Sequence, residues 1–213
     1  MKRLYAKLFG LAIIWFSRFI TAVRGFWKGV EPGEDVTIYF ANHTSNGDFI
    51  LLWTVLPPHV RRRTRPVAAA DYWLNSKLKS FIGREVINAV LIDRNPETRT
   101  LDPVEQMLEA LDADESLIIF PEGLRNSSAE KILPFKPGIY HLADKRPKVR
   151  LVPVWIENLN RVLPKGEIIP IPFICTVTFG PPIALKPGED KRKFLDRAQN
   201  AVLALAPGED IAS

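Results

Sequence analysis

His43 and Asp48 stand five residues apart in a polar segment, Asn42–Asp48 (NHTSNGD), directly after a β-rich run, Val36–Ala41. On one continuous helix that spacing puts the two side chains on different faces, so they meet only if the chain turns between them. Ser45-Asn46-Gly47 supplies the turn, with Asn-Gly its strongest signal. A carboxylate on one imidazole nitrogen fixes the tautomer and stabilises the imidazolium, leaving the other nitrogen to take a proton. No serine nucleophile in a recognised context accompanies the pair. Such a dyad would therefore activate a hydroxyl belonging to the substrate. Standing alone, the pair reads more readily as a loop histidine beside a helix-capping aspartate.

Two arginines add to it. Arg94 and Arg125 each follow a predicted strand, and the carboxyl ends of strands are where α/β proteins hold ligands. Two guanidinium forks would grip a phosphomonoester firmly. Glu122-Gly123 lies between strand and arginine, the glycine letting backbone approach a ligand. Taken singly, an arginine in this position is ordinarily a solvated surface residue. Other chemistries lack their residues: there is no Walker A loop, G-x-G-x-x-G, G-x-S-x-G, C-x-x-C or H-E-x-x-H. The histidines, at 43, 59 and 141, are too scattered for a metal site, and the single cysteine, Cys175, has no intrachain partner.

These residues need a scaffold of alternating strands and helices. Val36–Ala41, Ala89–Ile92, Leu117–Phe120, Val149–Ile156 and Cys175–Phe179 read as strands. Phe49–Leu56 is apolar throughout and stops at Pro57-Pro58, as a buried helix would. Asp102 as N-cap, Pro103 at the first helical position and Glu105 closing a capping box start a helix carrying Val104, Met107, Leu108 and Leu111. Lys191–Leu205 closes the chain as a helix with Phe194, Leu195, Ala198, Val202 and Leu205 on one face. The pattern predicts an α/β fold, a mixed, largely parallel sheet flanked by helices. Residues 31–213 are expected to form one domain and residues 1–30 an N-terminal membrane-interface helix.

At this point four blocks resemble one family. NHTSNGD is similar to the N-H-x-x-x-x-D block of the glycerolipid acyltransferases, the lysophosphatidic acid acyltransferase family. LIDR (91–94) resembles the second block, FPEGLR (120–125) the third, F-P-E-G-T-R, and LVPVWI (151–156) the fourth, centred on V-P-V. The resemblance implies that His43 is the catalytic base and Asp48 its partner. It implies that Arg94, Glu122, Gly123 and Arg125 bind the phosphate and glycerol of a lysophospholipid acceptor, with Pro153 on the acyl-facing side. It further implies no metal or cofactor, and acyl-CoA or an acyl carrier protein thioester as donor. The expected reaction is acylation of a lysophospholipid hydroxyl, with 1-acyl-glycerol 3-phosphate the leading acceptor. Glycerol 3-phosphate, another lysophospholipid or a lyso-aminolipid are the alternatives. Leu124 replaces the usual threonine and Asn88 stands where many members have glycine, and both departures touch acceptor recognition.

The charge of +5 is unevenly placed. Lys2, Arg3, Lys7, Arg18, Arg24 and Lys28 fall in residues 1–28, which hold no acid. On a helical projection these join Gly10, Ser17, Thr21 and Gly25 in a narrow stripe that Ile14 interrupts. Leu4, Leu8, Leu11, Trp15, Phe16, Phe19, Ile20, Val23, Phe26 and Trp27 fill the rest. A cationic stripe opposite a wide aromatic face predicts a helix lying on an anionic lipid surface, at the cytoplasmic face, with no nucleic-acid partner. A helix packed on the domain, a span and a signal peptide are the competing readings. Arg61, Arg62, Arg63 and Arg65 form a second basic cluster, read either as a solvated face or as a contact for headgroups or an acidic carrier protein.

Overall fold

Thr37–Ala41 is buried at every position, and its alternate side chains enter two different cores. This central strand, β2, organises the molecule. The computed structural model describes residues 2–95, 97, 99–157 and 174–207. In chain order these form α1 (Lys2–Thr21), β1 (Arg24–Trp27), β2, α2 (Asp48–Val55), α3 (Pro58–Arg61), β3 (Thr64–Ala69), α4 (Ala70–Trp73) and α5 (Lys77–Phe81). A π-helical turn (Ile82–Val86), β4 (Val90–Ile92), α6 (Pro103–Asp112), β5 (Ser116–Ile119), α7 (Gly138–Lys145), β6 (Arg150–Glu157), β7 (Thr176–Phe179) and α8 (Lys191–Leu203) follow.

The strands lie in the order β1-β7-β6-β2-β5-β3-β4, parallel throughout except for the antiparallel β6–β7 pair. This is the mixed, largely parallel sheet that the alternation of elements predicts. Tyr39 and Ala41 face the core shared with α1 and α2, where Leu51, Leu52 and Ile14 pack. Ile38 and Phe40 face α6, α7 and α8, against Leu108, Leu142 and Phe194. Sheets covered on both faces need strands that are apolar at every position, and β2 (TIYFA) and β5 (SLII) answer that need. α2 ends where Leu56 takes extended backbone ahead of Pro57. At α6, Asp102 caps as expected, its carboxylate accepting from Val104 N at 2.7 Å. Glu105 does not close the box, because its carboxylate pairs with Lys145 of α7 instead.

The expected helix over residues 1–28 stops at Thr21. Ala22 takes a left-handed conformation (φ +42°), and Arg24–Trp27 becomes an edge strand paired with β7. Trp27 stacks on Phe179 with 3.8 Å between ring centres. Gly25 lies against α2, where a Cβ would sit 3.2 Å from Val55. Arg24, Gly25 and Lys28 therefore do not belong to the helical stripe. The stripe's small residues are also not its outer face: Gly10, Ser17 and Thr21 are buried against the domain, together with Ile14 and Ala6. Leu4, Leu8, Leu11, Trp15, Phe16 and Phe19 point outward. Small residues let the helix approach closely, with Gly10 against Val86 and Trp53.

Candidate active site

His43 leaves the carboxyl end of β2 in a loop that is tied on both sides. The Asn42 side chain donates to Ile156 O (3.0 Å) and accepts from Ile156 N (2.8 Å), extending the β2–β6 pairing by one side-chain amide. From the β5 side, Glu122 Oε1 accepts from His43 N at 2.6 Å, and Asn126 N donates to His43 O at 2.7 Å. The imidazole stacks on Phe120 at 4.4 Å. Held this way, the ring is 19% exposed and has one edge open.

The turn at Ser45–Gly47 brings Asp48 back beneath the ring. Asp48 Oδ2 lies 2.9 Å from His43 Nδ1 and also accepts from Thr44 N (2.7 Å) and Ser45 N (2.8 Å). The carboxylate is fully buried at the first position of α2, where the helix N-terminus favours its charge. Asp48 therefore serves the dyad and the loop at once, but it is not the helix cap: Gly47 holds the N-cap position and the carboxylate binds no amide of α2. With Nδ1–H donating to Asp48, Nε2 is the proton-accepting atom. Asp48 Oδ1 is buried with no hydrogen-bond partner.

Glu122 is placed differently from a substrate ligand. It is buried, and its second oxygen accepts from Leu133 N at 2.8 Å, so both oxygens are committed to backbone amides. Burial pushes its carboxyl above the usual glutamate range, against the hydrogen bonds from Leu133 and His43. It clamps the His43 loop to the β5 loop. Gly123, the next residue, has φ +72°, a conformation suited to glycine. Arg125 is exposed at the same end of the sheet, two residues further on.

Arg94 does follow β4, two strands beyond β5, but its guanidinium is taken by Asp71 of α4 at 2.7 Å. That contact holds the Asp71 carboxyl below its usual range. Pro153 is not brought to the His43 loop. It pairs opposite Phe40 in the middle of β6, and its ring borders Gly180, with Leu205 beside it, on the face that α8 covers. Pro153 thus lies on the side of the sheet away from α1.

Two sequence departures resolve into backbone and surface. Asn88 has φ +48°, which asparagine tolerates better than other non-glycine residues, so it meets glycine's conformational need at the amino end of β4. It has no part in the carboxyl-end site. Leu124 is half exposed on the turn. The arginine cluster also disperses: Arg61 donates to Leu56 O (2.7 Å) beside Trp53, Arg63 to Asp114 O, and Arg65 pairs with Glu115. Cys175 is buried and its thiol is pushed up to about 12, chiefly by burial, which leaves it inert as a nucleophile. Among the described residues no cluster of three histidine, cysteine or carboxylate side chains could hold a metal.

Sequence reasoning did not find Asn42, Phe120, Asn126, Asp71 or Lys136. Their partners lie on other strands or loops, and no spacing rule links them. Only Asn42, adjacent to His43 within the first block, and Phe120, which opens the third, carried any signal.

The geometry has counterparts among known proteins. The family model described as Acyltransferase matches residues 30–157, more than half of the chain. A 1-acyl-sn-glycerol-3-phosphate acyltransferase of Cocos nucifera is 26% identical over 167 residues, covering 78% of this chain and 51% of its own. The protein of the same name from Escherichia coli (strain K12) is 30% identical over 138 residues, 59% of this chain and 51% of its own. That from Saccharomyces cerevisiae is 28% identical over 130 residues, 59% of this chain and 40% of its own. The chain thus spans about half the length of these curated relatives. The crystal structure of the 1-acyl-sn-glycerophosphate (LPA) acyltransferase PlsC from Thermotoga maritima superposes with a TM-score of 0.68 at 21% identity, covering 92% of this chain and 78% of that one, and so shares the fold. The histidine–aspartate loop, the glutamate that clamps it and the turn after β5 all fall within or beside the matched span, and the chain belongs to the Acyltransferase family.

Proposed function

We propose that the protein transfers an acyl group from an acyl-CoA or acyl carrier protein thioester to the free hydroxyl of a lysophospholipid, with 1-acyl-glycerol 3-phosphate as acceptor and phosphatidic acid as product. The observation that carries this reading is the dyad: an imidazole with one nitrogen on a buried aspartate and an open edge. His43 Nε2 takes the proton from the acceptor hydroxyl as its oxygen attacks the thioester carbonyl. The C–S bond breaks, and the departing thiolate takes the proton back from Nε2. Asp48 stabilises the imidazolium between the two transfers. The names carried by the relatives supply the acceptor class.

The same reading places the enzyme on a membrane surface, where acceptor and product reside. α1 presents Trp15 at 73% and Phe19 at 84% exposure, with Leu4, Leu8, Leu11 and Phe16 beside them. Tyr72 of α4, Leu74 just after it and Leu78 of α5 are exposed as well, and Phe81 of α5 touches Phe9 of α1. Burying each large apolar side chain is worth roughly 1.5–3 kcal/mol. A face of this kind favours a lipid interface over water. α1 is long and apolar enough to cross a membrane, but its small-residue side packs along the domain and its end continues into β1, which supports lying on the surface.

The test is a thiol-release assay on purified protein with a panel of acyl thioesters and lysolipids, product identity being checked by mass spectrometry. Acylation of lysophosphatidate by the wild type, reduced by about 10²–10⁴-fold in His43→Ala, is the expected result. Near-normal turnover by that variant would sink the mechanism.

A further inference from the structure

We infer that Lys136, outside all four sequence blocks, is a phosphate-binding residue of the acceptor site, acting from across Gly123. This rests on the acyltransferase reading and names a further residue that gives it specificity. Gly123 sits at φ +72°, and a Cβ built there would come within 2.7 Å of Cδ, Cε and Nζ of Lys136. The lysine stem therefore lies flat over the bare α-carbon, and the ammonium is held at the turn from which Arg125 projects. Glycine is required twice at this position, for its backbone conformation and for the room the lysine occupies.

The backbone under Lys136 is fixed. Lys136 N donates to Pro121 O at 2.8 Å, and Leu133 N donates to Glu122. Phe135 between them is buried with its ring edge-on to Phe40. The segment 133–136 is thus bound at two points to the loop that also holds His43. The exposed side chain of Lys136 thus springs from a fixed stretch of backbone.

Its charge is unspent. Among the described residues neither Lys136 nor Arg125 has an ion-pair partner, while Arg94 is held by Asp71. Glu122, the acid beside Gly123 in sequence, turns both oxygens to backbone amides and forms no ion pair with the ammonium. Two unpaired cations at one turn, a point charge and a guanidinium fork, suit a phosphomonoester dianion. An ammonium also supplies a hydrogen-bond donor at a turn where Leu124 brings no hydroxyl.

The phosphate could belong to the acceptor, the donor's CoA moiety or a bilayer headgroup, and the experiment separates the three. Full-length protein in neutral detergent is compared as wild type, Lys136→Gln and Lys136→Arg. The Gln variant should raise KM for lysophosphatidate by about tenfold or more, the size of one lost charge-assisted contact, and Arg should restore most of it. KM for the acyl thioester and the rate on monoacylglycerol should shift by less than about threefold. An unchanged KM for lysophosphatidate overturns the proposal. So does a rise confined to acyl-CoA, or a change seen only with phosphatidylglycerol vesicles. Equilibrium binding of lysophosphatidate is measured alongside. If the wild type acylated nothing while Lys136→Gln bound lysophosphatidate more weakly than the wild type, the reaction would be refuted and the phosphate site would stand.

Discussion

The backbone N–H of His43 donates to Glu122 Oε1 at 2.6 Å, joining two loops that are 79 residues apart in sequence. Parallel neighbours β2 and β5 end side by side, so a carboxylate just past one can reach the main chain just past the other. The His43 ring is thereby aimed through its backbone as well as through Asp48. In the proposed reaction this makes Glu122 a positioning residue.

Glu122→Gln tests that assignment. Both carboxylate oxygens accept from amides, whereas glutamine offers one acceptor and one donor, and its NH₂ would confront an N–H. A buried mismatch of this kind costs about 1–3 kcal/mol, so thermal unfolding by circular dichroism should shift down while kcat falls. A substrate ligand alone would raise KM and leave the melting temperature in place.

Asp48→Asn keeps the shape of the side chain and removes its charge. The three donors that converge on Oδ2 would still find an oxygen, so the loop should persist. The imidazolium would lose its counter-charge, and kcat should fall by about 10³–10⁴-fold with little change in KM, measured by thiol release.

The membrane face is tested best by substitution within α1. Deleting residues 1–28 would also remove β1 and its pairing with β7. Trp15→Ser, Phe16→Ser and Phe19→Ser combined should abolish sedimentation with anionic vesicles, because these side chains point away from the domain. The far-UV circular dichroism of the combined variant should match the wild type. Undiminished vesicle binding would refute the assignment of this face.

Ala22→Gly should stabilise the protein. Ala22 closes α1 at φ +42°, where an L side chain costs roughly 1 kcal/mol and glycine does not. Part of that gain is offset by the greater freedom of glycine in the unfolded chain, leaving a net rise of roughly 0.5 kcal/mol. Urea denaturation measures it.

Glu189 gives a pH signature. Arg197 binds it through Nε at 2.8 Å and Nη2 at 2.6 Å and holds its carboxyl down to about 2. Since the folded value is depressed, the unfolded chain takes up the proton first as pH falls. The pair's contribution is complete above the ordinary glutamate value of 4.5 and is lost as pH falls towards 2. Arg197→Gln should therefore lower the melting temperature at neutral pH, with the gap to wild type closing across that acid window.

Much of this architecture was legible in the chain. Largely apolar runs predicted β2, β5, β6 and α2, because elements buried on both sides are apolar at most positions. Asp102 announced α6 through local capping chemistry. The Asn46-Gly47 turn made the His43–Asp48 contact foreseeable, since both partners lie in one loop. β1 was hidden because RGFW continues a helical stripe as well as it forms an edge strand. Only pairing with β7, some 150 residues on, decides between them.

What the sequence by itself determined is the family's block pattern, the mixed α/β sheet and the His43–Asp48 dyad, because those rest on neighbours along the chain. What only the tertiary structure decided is which charges are free and which are spent. Glu122 turned out to be hydrogen-bonded to amides, Arg94 paired with Asp71, and Arg61, Arg63 and Arg65 bound to carbonyls and Glu115, while Lys136 lies over Gly123 with no ion-pair partner among the described residues. A charge is neutralised by whatever the fold brings within a few ångströms, and such partners come from distant strands that no local spacing records.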